Sequence, residues 1–404
     1  MQQIPHFKPN LKEFSDFKEY VKSIEPFGME YGIVKITPPK EWKHLISKSA
    51  EKNASKIKIK SPIMQEFEGK MGIYTLKNKE IKKTYSVNEW FSLCFSSNYN
   101  GPQCVNEAGS LKLISSSSLN KFEKEKGLKP LKFDLKVTGH GYPDFWIGKA
   151  EEFYWKNVLN HSPIYAGDLL GTLMDYNKDN NWNIGALDNL LTRMSVPVFG
   201  VNAPYLYFGM WKASFPWHLE DMDLFSINYI HFGAPKQWYA IPQRDHLKFE
   251  NFASKVFASD KAQCSEFLRH KTFMISPSLL EENGITVYKT VQRAGDIMIT
   301  FPYGYHQGFN YGFNCAESAN FANYSWVEIG KKAKFCKCVD DSVRIDIKEL
   351  LSCQTKFDAA KWCALVKDMI LSYQWGSEGG RMVKRMAQKK IKRVLDSSLE
   401  KVNY

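Results

Sequence analysis

From about residue 160 to 322 the sequence breaks into short runs of aromatic and β-branched residues. "YLYFGMWK" (205–212), "SINYIHF" (226–232), "QWYAI" (237–241), "KTFMIS" (271–276), "TVYKTVQ" (286–292), "DIMITF" (296–301) and "FNCAESANF" (313–321) are separated by turns rich in Gly, Pro or Asp. Such runs are too short for stable helices, and their residue types suit pleated, half-buried surfaces. The spacing predicts an antiparallel sandwich or jelly roll, interrupted by helical segments at 183–194 and roughly 245–270.

The flanking regions read differently. Residues 10–25 predict one helix, with Asn10 as cap, Glu13 in the capping-box position, an apolar face of Leu11, Phe14, Phe17, Tyr20, Val21 and Ile24, and Pro26 and Gly28 as terminators. "GIVKITPP" (32–39) reads as a strand stopped by prolines, and "ISKSAEKNASKIKIK" (46–60) as a basic surface loop. Ser86 and Glu89 offer a second capping box. Residues 97–130, with "SNYNGP", a four-serine run and "KFEKEKG", read as a long insertion, and "LKFDLKV" (131–137) as a half-buried strand. Beyond 340 the chain reads as helical and increasingly basic, ending in "RMVKRMAQKKIKRVL".

The 404-residue chain carries 55 Lys and Arg against 43 Asp and Glu, a formal charge of +12. That balance favours polyanionic surroundings such as nucleic acid, chromatin or an anionic membrane surface alike, a basic charge as a solubility device being the other reading, and direct nucleic-acid contact is compatible with it without being required. No segment approaches the ~20 apolar residues of a membrane span, so no membrane partner is expected, and an intracellular protein is. Eight scattered cysteines fit core thiols or metal ligands better than a disulfide scaffold.

Within "FPWHLEDMDLFSINYIHFGAPKQWYAIP" (215–242), His218 and Glu220 stand two apart, so on an extended strand both project from one face. Two imidazoles and a carboxylate form the facial triad of non-haem iron(II) oxygenases, which leaves coordination positions free. His306, in "TFPYGYHQGFN" and flanked by glycines, is the best third ligand. By spacing alone, a chance arrangement on surface or core is the other reading, as is a packed, hydrogen-bonded role for His231. Cys264, His270 and the "CKC" pair Cys336 and Cys338 suit a closed tetrahedral zinc site; buried free thiols are the alternative.

The stretch "NAPYLYFGMWKASFPWHLEDMDLFSINYIHFGAPKQWYAIP", followed in order by "FLRHK", "ISP", "ITFPYGYHQGFNYGFNCAESANFA" and "CKC", resembles the core of the JmjC histone demethylases. "IPHFKPNLKEFSDFKEYVKSI…ITPPKEW" resembles the JmjN module that accompanies it. Together they are similar to the lysine demethylase 4 subfamily, over about 1–45 and 150–340. The resemblance implies a mainly β fold with α: a cupin-like double-stranded β-helix as JmjC core with helical insertions. Its parts would be a JmjN module at 1–46, a mixed linker at 47–150, a catalytic domain with structural zinc at 151–339 and a helical basic region at 340–404.

By the same resemblance His218, Glu220 and His306 would hold iron(II), and Cys264, His270, Cys336 and Cys338 zinc. Tyr165, Asn228 and Lys236 would contact 2-oxoglutarate, with Phe215 and Trp238 walling it. Gly200, Tyr207, Glu220, Ser318 and Asn320 would form the polar cage for a methylated ammonium, and Asp168 and Lys271 would touch the bound peptide. Ala319 stands where many relatives carry a hydroxyl, which bears on di- against trimethyl preference. The implied function is iron- and 2-oxoglutarate-dependent demethylation of tri- and dimethyl-lysine on the histone H3 tail in the nucleus, at lysine 9 with lysine 36 as a second target. A 2-oxoglutarate-dependent protein hydroxylase and a catalytically silent chromatin-binding module are the rival readings.

Overall fold

The computed structural model describes residues 2–104, 111–112, 142–194, 197–338, 342–353 and 356–375. Eight strands make its centre: β1 Tyr205–Gly209, β2 Ser214–His218, β3 Phe225–Gly233, β4 Lys236–Ala240, β5 Tyr288–Gln292, β6 Ile297–Thr300, β7 His306–Asn310 and β8 Asn314–Phe321. Neighbours β1, β8, β3 and β6 lie in one sheet; β2, β7, β4 and β5 form the facing one. All pairs within these sets are antiparallel, which is the four-over-four jelly roll. All nine residues of β3 are buried, because helices cover one face and the facing sheet covers the other.

Both sheets are extended by further strands. Ile33–Ile36 pairs antiparallel with β6, and His6–Phe7 pairs parallel with it in turn. Gln2–Gln3 pairs parallel with β5. The N-terminal segment therefore blocks the open edge of each sheet at the same end, where bare strands would invite foreign pairing. Ile33, Val34 and Ile36 are fully buried, and each such side chain stabilises by about 1.5–3 kcal/mol. On the opposite side, Ile164–Leu170 joins β1, and the hairpin of Ile63–Lys70 and Ile73–Glu80 continues the sheet.

The core lies on the outer faces of the roll. Phe17, Val21 and Ile24 from helix Phe17–Tyr31, with Trp42 and Ile46 from helix Lys40–Ala54, pack on Phe225, Ile227, Tyr229, Ile297, Ile299 and Phe321. A second apolar cluster joins helices Asp144–Lys156 and His246–Val256 to the smaller sheet. No helix among the described residues is long and apolar enough to cross a membrane.

Several local expectations change. Asn10 and Glu13 do exchange their capping-box hydrogen bonds, at 2.8 and 3.0 Å, but they close a short 3-10 turn at Glu13–Ser15. The helix proper starts after Asp16, whose carboxylate accepts from the Glu19 amide, and it runs through Pro26 to Tyr31. Gly32 ends it at φ 81°, in the left-handed region that only glycine enters freely. The supposed loop at 46–60 holds most of helix Lys40–Ala54 and the strand Lys58–Lys60. Its buried stripe of Trp42, Ile46, Ala50 and Ala54 repeats every four residues, and it was masked by the surrounding lysines. Residues 183–194 form only two 3-10 turns, Ile184–Ala186 and Leu191–Met194. The Ser86–Glu89 box caps helix Val87–Cys94 as expected. The strand at 131–137, most of the 97–130 insertion and the helix ending in "RMVKRMAQKKIKRVL" lie outside the described residues.

Gly32 also lets the N-terminal helix meet the loop before β7: a Cβ here would lie 2.8 Å from the Ile241 carbonyl and 2.9 Å from Gly304 Cα. Gly32→Ala should cost about 2–4 kcal/mol, combining the left-handed penalty with overpacking. A denaturant-unfolding series on the pair would show it, and an unchanged midpoint would contradict this packing.

Candidate metal centre

β2 and β7 are paired so that His218 and His306 sit directly opposite each other. Their rings lie with centroids 4.2 Å apart. Glu220 follows two residues beyond the end of β2 in extended backbone, φ −67° and ψ 154°, which keeps the two-residue alternation and turns its carboxylate to the same side. One ligand atom from each of the three lies within 4.8 Å of the others. His306 Nε2 and Glu220 Oε1 are 3.5 Å apart.

The imidazoles are oriented from behind. His218 Nδ1 donates to the Pro216 carbonyl at 2.7 Å and His306 Nδ1 to the Gly304 carbonyl at 3.0 Å. Each Nε2 is then the bare nitrogen, and that of His306 faces the Glu220 carboxylate. Burial, then the neighbouring His306 and Lys271, push the His218 imidazole well below the usual histidine range, so it is neutral and able to ligate. Burial alone would raise the Glu220 carboxyl, but the neighbouring His306, Lys271 and His218 hold it well below the usual carboxylate range. Asn320 Nδ2 donates to Glu220 Oε2 at 3.1 Å. Two imidazoles oriented through Nδ1 and a carboxylate are a fit donor set for a divalent ion such as iron(II).

Beside this centre Lys236 is 2 % exposed. Its Nζ reaches the Tyr165 hydroxyl at 3.4 Å and stands 5.4 Å from the Phe215 ring. Among the described residues no carboxylate pairs with it, and burial pushes its pKa down to about 7. A buried ammonium in such a position calls for an anion. Phe215 and Trp238 pack at 4.9 Å, and Trp238 lies 5.7 Å from the His306 ring, so both wall this space. Asn228, Ser318 and Tyr205 share one row across the large sheet and so one face of it.

The remaining site candidates gather at one end. Tyr207 donates its hydroxyl to Asp168 at 3.1 Å, and Ser318 donates to the Ile227 carbonyl at 2.8 Å. Gly200 has φ 77°, and a Cβ there would strike the Tyr205 ring at 2.1 Å. Burial works against the Lys271 ammonium, but the carboxylates of Asp221, Glu220 and Asp168 around it hold its pKa above the usual lysine value. Ala319 lies elsewhere: it is opposite Ile227 and packs in the outer core with Phe17 and Phe225. His231 is held by Glu317 at 2.8 Å, both side chains being fully buried.

A second cluster lies at the far side of the helical insertion. Cys264, His270, Cys336 and Cys338 also bring one ligand atom each within 4.8 Å. Cys264 Sγ and Cys336 Sγ are 3.7 Å apart, and His270 Nε2 is 3.2 Å from Cys336 Sγ. A tetrahedron with 2.3 Å zinc–sulfur bonds has edges of about 3.8 Å, so this set fits zinc.

The family comparisons agree with this geometry. Residues 205–321 match the family described as "JmjC domain, hydroxylase", and residues 5–38 match the "jmjN domain". The chain thus carries a JmjN and a JmjC domain and is 39–40 % identical over most of its length to lysine-specific demethylase 4 proteins. It is 40 % identical over 337 residues to Lysine-specific demethylase 4D of Rattus norvegicus, covering 82 % of this chain and 57 % of that relative. To Lysine-specific demethylase 4B of Mus musculus it is 40 % identical over 350 residues, 85 % of this chain and 28 % of the relative. To Probable lysine-specific demethylase 4F of Homo sapiens it is 39 % identical over 337 residues, 82 % and 46 %. The chain thus spans between about a quarter and three fifths of the length of these relatives.

Three residues of this JmjC site carry no sequence signal that singles them out. Gln292 accepts from Trp238 Nε1 at 2.9 Å and donates to the Asn228 carbonyl at 2.9 Å and side chain at 3.2 Å. Asn310 lies beside the Tyr165 hydroxyl. Arg269 donates to the Glu220 carbonyl at 3.2 Å. A lysine titrating near pH 7 is directly observable. Carbon-13 NMR of Cε-labelled lysine should show a resonance, lost in Lys236→Met, that titrates near 7, beside a second from Lys212, which burial also pushes down to about 7. Titration of the Lys236 resonance near 10 in the free protein would contradict the burial described.

Proposed function

We propose that this chain is an iron(II)- and 2-oxoglutarate-dependent dioxygenase that removes methyl groups from tri- and dimethyl-lysine on the histone H3 tail. Lysine 9 is the first position to test and lysine 36 the second. The observation that carries the reading is the gathering of two imidazoles and a carboxylate beside a buried lysine that no carboxylate pairs with among the described residues. Chromatin, and so the nucleus, is where such a substrate is met, and the chain's +12 charge suits that polyanionic setting.

On this reading His218, Glu220 and His306 hold the iron. Bound there, iron(II) supplies the oxidation of an N-methyl carbon by dioxygen, with 2-oxoglutarate giving succinate and carbon dioxide and the methyl group leaving as formaldehyde. The attack is on carbon, so a quaternary trimethyl-lysine reacts without a nitrogen lone pair. Lys236 and the Tyr165 hydroxyl take the far carboxylate of 2-oxoglutarate, and Asn228 fixes its orientation. Phe215 and Trp238 keep water from the reacting centre. Tyr207, Ser318, Asn320, Gly200 and Glu220 place oxygens round the methylammonium, and Asp168 and Lys271 flank the peptide. Cys264, His270, Cys336 and Cys338 hold a structural zinc.

Mass spectrometry of methylated H3 peptides incubated with the protein, iron(II), 2-oxoglutarate and ascorbate should show methyl loss together with succinate and formaldehyde. His218→Ala should abolish all three. A stable gain of one oxygen would instead support the hydroxylase reading, and absence of succinate with every peptide would support the silent binding module. Lys236→Met should weaken 2-oxoglutarate binding by about 2–5 kcal/mol, the usual cost of losing one side of a buried charged pair.

A further inference from the structure

The backbone directly after Glu220 is strained. In the turn Asp221–Asp223, Met222 has φ 55° and ψ 25°, and Asp223 has φ 52°. Left-handed backbone costs a non-glycine residue about 1–2 kcal/mol, and two in succession persist only when their surroundings impose them. Two side chains from outside grip this turn. Trp326 Nε1 donates to the Met222 carbonyl at 3.0 Å. Arg269 donates through Nη1 to the Glu220 carbonyl at 3.2 Å and through Nη2 to Asp223 Oδ1 at 2.8 Å, so one planar guanidinium spans both ends. The Arg269 side chain is 13 % exposed and that of Asp223 4 %.

Arg269 has an anchor of its own. It lies on the 3-10 turn Phe267–His270, and the stretch that carries it begins at Cys264 and ends at His270. Both of those residues belong to the Cys/His cluster. We propose that Arg269 is a positioning residue for Glu220: anchored by the Cys/His cluster, it clamps the strained turn and so fixes the carboxylate of the facial triad. Order at one cluster is thereby passed to the other through a single side chain. The inference rests on the reading that His218, Glu220 and His306 hold a divalent ion.

The test uses the full chain and manganese(II), a hard ion that prefers the oxygen and nitrogen donors of the triad to thiolates. Manganese affinity is measured by electron paramagnetic resonance, and zinc content by elemental analysis, with and without prior zinc removal. Arg269→Met should keep its zinc yet bind manganese about 10–100-fold more weakly, the usual effect of losing a group that orients a ligand. Arg269→Lys, which keeps the charge but cannot span both acceptors, should restore only part of the loss. Zinc removal should weaken manganese binding in the unaltered chain and change little in Arg269→Met, because coupled effects do not add. Unchanged manganese affinity in zinc-loaded Arg269→Met overturns the proposal, and so does an equal effect of zinc removal in both proteins. If Arg269→Met does not fold, Asp223→Asn carries the same cycle. No manganese binding by the unaltered chain would refute the reading of the triad itself, a result separable because it precedes any substitution.

Discussion

The antiparallel pairing of β2 with β7 is the constraint on which the site depends. It sets His218 directly across from His306, at the ends of two neighbouring strands in the smaller sheet. Backbone hydrogen bonds fix that register, and a slip of one residue in either strand would turn its imidazole to the opposite face. Everything else at the centre adjusts what this register has already brought together.

Each of the three donors is braced from a different part of the chain. His306 is oriented by the Gly304 carbonyl, and Gly304 is pressed against Gly32, where its own Cβ would lie 2.4 Å from the Gly32 carbonyl oxygen. The N-terminal segment therefore supports a ligand more than 270 residues away as well as covering sheet edges. Glu220 is held by Asn320 of β8 at its carboxylate and by Arg269 at its carbonyl. His218 is steadied locally, by Pro216. This division explains why the N-terminal module and the Cys/His segment are folded onto the jelly roll instead of tethered to it. Sub-ångström placement of donors needs rigid neighbours on several sides.

The sequence made the jelly roll legible because strand runs such as "SINYIHF" and "DIMITF" carry their own period and turn signals. The same alternation picked out His218 and Glu220, and the structure does bring His306 to them. What was not legible depends on contacts distant in sequence. The helix at Lys40–Ala54 was hidden by lysines on its exposed side. Pro26 is carried inside helix Phe17–Tyr31. Arg269, Gln292 and Asn310 are ordinary polar residues until folding sets them against Glu220, Trp238 and Tyr165. Ala319, where many relatives carry a hydroxyl, is sent to the outer core by alternation along β8.

On the proposed reading, the polarity of the methylammonium cage follows from where the protons go. Tyr207 gives its hydroxyl proton to Asp168, Ser318 gives its proton to the Ile227 carbonyl, and Asn320 donates to both Glu220 and the Phe225 carbonyl. With their donors engaged inside the protein, these groups have only oxygen lone pairs left to offer a guest. A pocket that can accept but not donate suits the positively polarised C–H groups of a methylated ammonium, whose contacts are individually weak and gain strength only from being several and preset. On the proposed reading, selectivity for methylated lysine would then reside less in any one residue than in the internal acceptors, Asp168 and two backbone carbonyls among them, that keep these donors occupied.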